Sequence, residues 1–177
     1  MPASATQAAL NYLGRHLDEL ADAFPTNAAA VDVVTLTDDI NVLAHHLEYA
    51  TERAQERFTV PETVCLPERV ALARLAEAAA GIAGALNVLT EALTHAATGF
   101  HREALPDLAV SPLRNDPEVM RNMAAEKYAE AAARLRETAT GLRPAPAPAA
   151  PSTPPSAALR TPPPAHAGPQ PLQRAQR

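Results

Sequence analysis

Four stretches of this chain place apolar side chains at alternating spacings of three and four residues, the interval that lines one stripe of an α-helix and fits no face of a strand. The first stripe runs Thr6, Leu10, Leu13, Leu17, Leu20, Phe24, opened by a capping box of Ser4 with Gln7 and closed at Pro25. The second runs Val33, Leu36, Ile40, Leu43, Leu47, Ala50, Ala54 behind the cap candidates Thr26 and Asn27. The third starts at Pro67 and Glu68 and continues Leu72, Leu75, Ala79, Ile82, Leu86, Leu89, Leu93, Ala96, Phe100, with Gly99 serving the C-terminal turn. The fourth has the clearest start: Asp116 supplies a capping oxygen, Pro117 a fixed φ, and Glu118 a carboxylate beside the positive end of the helix dipole. Its stripe is Met120, Ala124, Tyr128, Ala131, Leu135 and Leu142, with Gly141 at the end and Glu130–Arg134 as an exposed pair.

The spacing therefore predicts helices over about 4–24, 27–58, 67–98 and 116–140. Apolar residues recurring twice per seven favour left-handed packing at shallow angles, so the expected fold is all-α, an antiparallel, coiled-coil-like four-helix bundle. The segment 59–67 suffices to turn the chain, making the second and third helices an antiparallel hairpin, and the first helix folds onto it through the turn at Pro25. The connection 101–115, with Pro106 and Pro112, is long enough to cross an end of the bundle.

Composition supports this reading and divides the chain. Aromatics make up 3% of 177 residues, Trp is absent, and 18 prolines stand beside 6 glycines, which argues against a turn-rich β fold. From Pro144 onward prolines crowd together with almost no large apolar residue between them, so the expected organisation is a helical bundle over 1–143 and a disordered Pro/Ala-rich tail over 144–177. Thr153-Pro154 and Thr161-Pro162 in that tail are possible phosphorylation positions, although such patterns arise readily in a proline-rich spacer.

Charge, cysteine and hydropathy narrow the functions. The tail holds three arginines and no acid, which leaves residues 1–143 with 12 basic and 20 acidic side chains, a net of −8 that repels phosphate backbones. A nucleic-acid role would have to use the tail. Cys65 is the single cysteine, so no internal disulfide forms, and with no basic n-region at the amino terminus the expected compartment is the cytoplasm. The most apolar run, Ala78 to Leu86, is too short to span a bilayer, so no membrane segment is expected.

No Gly-x-Gly-x-x-Gly, phosphate loop or Gly-x-Ser-x-Gly elbow occurs, and Cys65 has no activating basic neighbour apart from Arg69, so no enzyme, cofactor or small-molecule substrate is indicated. Among the six histidines, His45 and His46 flank the stripe position Leu43 with both rings toward its edge or solvent, while Glu91 and His95 share one face. A metal held by His45, Glu91, His95 and acids of the second helix is the competing reading, but the inward-facing Glu-x-x-His pairs of a ferritin-like centre are absent. The acids Asp32, Asp38, Asp39, Glu48, Glu52 and Glu56 form a solvated face or a surface for a basic partner.

The third helix stands apart. Between Ala71 and Ala97 its only charges are Arg74, Glu77 and Glu91, and its second face is lined by Ala73, Ala76, Ala80, Ala83 and Gly84. A helix small or apolar on most sides is commonly buried on most sides, and small residues allow close approach of helix axes. The expected function is a non-enzymatic interaction or assembly protein, a scaffold or adaptor that self-associates or binds another helical protein, with Ala76, Ala80, Ala83 and Gly84 at the partner interface. The alternatives are the ferritin-like metal binder and a regulatory DNA-associated protein using the basic tail.

Overall fold

A computed structural model describes residues 5–105 and 116–143. The expectations for Ser4, for 106–115 and for the tail fall outside these residues. The described chain forms α1 (Ala5–Ala23), α2 (Val33–Phe58), α3 (Leu66–Glu103) and α4 (Pro117–Leu142), with single 3-10 turns at Ala28–Ala30 and Pro61–Thr63. No strand occurs among the described residues.

The four helices make an antiparallel bundle whose order around the axis is α1, α4, α3, α2. Along α1 and α4, Asp18 pairs with Arg143 and Asp22 with Arg136 at 2.9 Å, so one helix descends as the other rises. Between α3 and α4 the rungs are Arg74 to the Gly141 carbonyl, Glu91 to Lys127 at 2.8 Å, and Glu103 to Arg121. Arg57 meets Glu68 at 3.1 Å where α2 turns into α3. The α3–α4 face is the most extensive, followed by α2–α3 and α1–α4, while the α1–α2 edge is the least extensive of the four. The first helix therefore folds chiefly onto α4 rather than onto the α2–α3 hairpin.

The core is built from the expected stripes. Leu10, Leu13, Leu17, Leu36, Leu43, Leu75, Ile82, Leu89, Tyr128 and Leu135 are fully enclosed. Asp116 caps α4 by accepting from the Glu118 and Val119 amides at 2.8 and 3.3 Å. Burial of these stripes, at roughly 1.5–3 kcal/mol per large aliphatic side chain, is the main force holding the helices together.

Several boundaries differ from the sequence expectation. Helix α2 begins at Val33, not near Asn27: the Asn27 side chain accepts from the Ala30 amide and closes only the 3-10 turn. Asp32 is the true cap, its carboxylate accepting from the Val34 and Thr35 amides at 2.9 Å each. An anion at the positive helix end outcompetes the neutral amide, and Val31 and Leu36, both buried on either side of the cap, complete a hydrophobic staple. Helix α3 continues past Gly99 to Glu103. Gly99 is a contact residue rather than a terminator, because a Cβ there would lie 3.0 Å from the Met120 Cβ. Phe100 is 70% exposed, at the rim of an open cleft that it shares with Val31, Val34 and Arg121.

The outer side of α3 is also not buried as expected. Ala73, Ala76, Ala80 and Ala83 all face out. Over its 38 residues α3 is long enough to cross a bilayer and includes an 18-residue window of mean hydropathy 1.3, the only such helix among the described residues. Much of that hydropathy comes from Leu72, Leu75, Ile82, Val88 and Leu89, which are enclosed by the other helices.

Candidate functional site

The residue types that carry chemistry collect on the α1–α2 edge. The same helical spacing that turns Leu10, Leu13 and Leu17 inward sets Tyr12 and His16, four residues apart, on the flank of α1 facing α2. On α2, His46 and Tyr49 lie three apart on the facing flank. Ring centroids are 4.2 Å apart for Tyr12 and His16, 5.0 Å for Tyr12 and Tyr49, and 5.9 Å for His16 and His46, the last pair stacked within 21°. Arg53 extends the row, its guanidinium 5.4 Å from the Tyr49 ring centre.

Of the two expected placements, edge or solvent, His46 takes the edge, where α1 covers it. It is only 7% exposed, and its Nδ1 has no hydrogen-bond partner. Its position three residues after Leu43 and four before Ala50, both fully buried, carries it inward with them. Burial, and then the nearby His16 and His45 charges, hold its pKa below the ordinary imidazole value. His45 points outward, 3.7 Å from Glu48, and half-buried His16 has its Nδ1 3.0 Å from Glu19.

A second polar contact sits deeper. The Tyr128 hydroxyl, on a ring that packs edge-on against Phe24 at 5.1 Å, donates to Asp39 Oδ2 at 2.8 Å and thereby links α4 to α2. Burial raises the Asp39 pKa, the Tyr128 bond opposes that rise, and Asp38 and Asp32 add to it. Burial and the Asp39 carboxylate together push the Tyr128 phenol far above its usual range. This pair is an internal strut.

The acids of α2 are not one free surface. Asp32 caps the helix, Asp39 receives Tyr128, Glu56 pairs with Arg53 at 2.9 Å and Glu48 approaches His45. The proposed metal ligands are not brought together either: Glu91 is engaged by Lys127, and no group of three His, Cys, Asp or Glu side chains converges among the described residues. Cys65 is exposed at the N-cap position of α3 without a side-chain capping bond.

The four interface candidates divide. Ala76, Ala80 and Ala83 are exposed, whereas Gly84 is half-buried against α4, with Arg134 Nη1 3.6 Å from where its Cβ would stand. Ala80 and Gly84 border a shallow groove of about 370 Å³ between α3 and α4, edged by Arg74, Glu77, Arg134 and Glu137. At its floor, Gly81 lets Thr138 reach the α3 backbone. The aromatic and histidine row was missed from the sequence because the two halves of it lie on separate helices; the available signal was the shared spacing of Tyr12 with His16 and of His46 with Tyr49.

Compared with protein-family models, with curated proteins and with solved structures, the chain matches none of them.

Proposed function

We propose that this chain is a non-enzymatic assembly protein of the cytoplasm, a helical scaffold or adaptor that binds a second copy of itself through the outer side of α3. The observation that carries this reading is that the longest and most apolar helix leaves an outer stripe of mostly small and apolar residues uncovered. Leu66 at 75% exposure and Val70 at 56% continue into the exposed Ala73, Ala76, Ala80 and Ala83, with Arg69 and Glu77 the exposed charges of α3 along this stretch. Exposed contiguous apolar surface of this kind is where soluble proteins meet partners, and small side chains allow two helix axes to approach closely. The pairing of like stripes is also the simplest symmetric solution, since one patch then serves both copies.

Sedimentation velocity at micromolar concentration is the direct measurement, and a dimer or larger species is expected. Ala80→Arg, which places a charge at the middle of the stripe, is expected to weaken association by about tenfold or more, equivalent to 1.4 kcal/mol. Because Ala80 is exposed, its replacement leaves helicity and folding stability close to wild type. A wild-type chain that sediments only as monomer overturns the reading, as does an Ala80→Arg variant that associates unchanged.

A further inference from the structure

We propose that the α1–α2 edge is an acid-sensitive joint: when His46 takes up a proton, α1 and α2 part along that edge while α3 and α4 stay packed. Three features of the geometry lead there. His46 is buried in the seam with an unpartnered Nδ1, so the second N–H of an imidazolium would have no acceptor. Two further imidazoles stand beside it, His16 with its ring centre at 5.9 Å on α1 and His45 at 6.2 Å on α2, and both disfavour a proton on His46. The α1–α2 edge is also the least extensive of the four, and among the described residues no ion pair crosses it, whereas each of the other three has at least one.

The remaining groups around the seam offer no relief. On α1, Tyr12 stacks on His16, and Glu19 is committed to His16 at 3.0 Å. On α2, Glu48 approaches His45, and Tyr49 carries Arg53, a further positive charge. The buried side chains of α3 and α4 include one ionisable group, Tyr128, whose hydroxyl is held by Asp39. A proton on His46 is therefore a buried charge with like charges nearby, and exposure to water is the available remedy.

The direction of the pH effect follows from the lowered His46 pKa. Below about pH 6.5 the opened or unfolded chain, whose imidazole titrates near its ordinary value, binds the proton more readily than the closed one. Stability of the closed edge is then full at neutral pH and falls as the pH drops through that value toward the His46 pKa.

The test is hydrogen–deuterium exchange of the full chain at about pH 7.5 and pH 5.5, with exchange times scaled for the intrinsic pH dependence, alongside NMR titration of the imidazoles. Peptides from α1 and from 42–50 of α2 are expected to open about tenfold more at the lower pH, with α3 and α4 unchanged, and His46 is expected to titrate below the ordinary imidazole value. His46→Leu is expected to abolish the difference. His16→Gln, which removes one neighbouring charge, is expected to move the opening to lower pH and serves if the leucine variant does not fold. Loosening of all four helices together, no loosening at all, an acid response that survives in His46→Leu, an unmoved opening in His16→Gln, or a His46 midpoint at or above the ordinary imidazole value each overturns the proposal.

Discussion

The two seams that flank this bundle solve the same packing problem with opposite materials. Across α3–α4 many of the residues are small: α3 buries Ala78, Ala85 and Ala92 and sets Gly81 against Thr138 and Gly99 against Met120, α4 buries Ala124, Ala131 and Ala139, and ion pairs at Glu91–Lys127 and Glu103–Arg121 hold the outside. Across α1–α2 the flank is filled by Tyr12, His16, His46 and Tyr49, with no ion pair crossing among the described residues. Small residues leave little side chain between the backbones, so the first seam is close and has no slack. Rings leave a wider seam in which polar atoms are buried without full satisfaction, so the second is the place where the fold can give.

The largest effect that separates the two is expected from adding volume to the close seam. Ala131 is fully enclosed and shares its face of α4 with Lys127 and Arg134, both of which meet α3. Ala131→Leu forces three extra carbons between backbones that cannot part without losing their ion pairs, and is expected to cost about 3 kcal/mol. Tyr49→Leu in the aromatic seam removes volume from a half-buried flank and is expected to cost about 1 kcal/mol, the worth of its ring contacts. Urea denaturation of both variants decides this, and equal losses would mean that the seams do not differ in tightness.

A subtler separation lies within α3 itself. At Gly81 a Cβ would strike Thr138 Oγ1 and stand 3.2 Å from the Thr138 Cβ, so rotating the threonine does not clear it. At Gly84 the nearest atom is the end of Arg134 at an ordinary 3.6 Å. Gly84→Ala is thus expected to stabilise by about 0.5–1 kcal/mol through helix propensity. Gly81→Ala is expected to destabilise by about 1–2 kcal/mol despite the same propensity gain. Adding Thr138→Ala should recover most of that loss, and a double-mutant cycle with no coupling would remove Thr138 as the cause.

How much of this was legible follows from what a one-dimensional pattern can record. The stripes at Leu10–Leu17, Leu36–Leu43 and Met120–Leu142 became core because period 3.6 is a property of one helix at a time. The start of α4 was equally plain, since Asp116, Pro117 and Glu118 act within one turn. What escaped was competition and company. Asn27 and Asp32 are both good caps, and the charge of Asp32 together with the staple of Val31 and Leu36 decides between them. Gly99 looks like a terminator until Met120 arrives against it from another helix. His46 sits on the edge of its stripe, and whether an edge position is wet depends on the helix alongside, so the buried imidazole and its row of rings belong to the pairing of α1 with α2. The small residues of α3 fall on two sides that the sequence does not separate: Gly81 and Gly84 meet α4 within the chain, whereas Ala76, Ala80 and Ala83 are left exposed.

The smallest expected effect concerns the Asp39–Tyr128 strut, which joins α2 to α4 across the bundle and tests whether α2 is held from within rather than by its aromatic edge. Tyr128→Phe keeps the ring against Phe24 but removes the donor, and is expected to cost about 1 kcal/mol, the net worth of one such bond. Because that bond draws the Asp39 pKa down against burial, its loss should raise the carboxyl titration seen by NMR. Asp39→Asn works in the other direction. A carboxyl whose folded pKa lies above its unfolded one binds its proton more tightly in the native state, so its contribution is favourable in acid and declines as the pH rises through that window. At neutral pH the charged Asp39 is therefore a net cost, while an amide oxygen can accept the same Tyr128 hydroxyl without carrying charge. Asp39→Asn is expected to leave stability at pH 7 unchanged or up to about 1 kcal/mol higher and to lose that advantage near pH 4. A clear loss at pH 7 would show that the charge itself, and not only the hydrogen bond, holds α2 to α4.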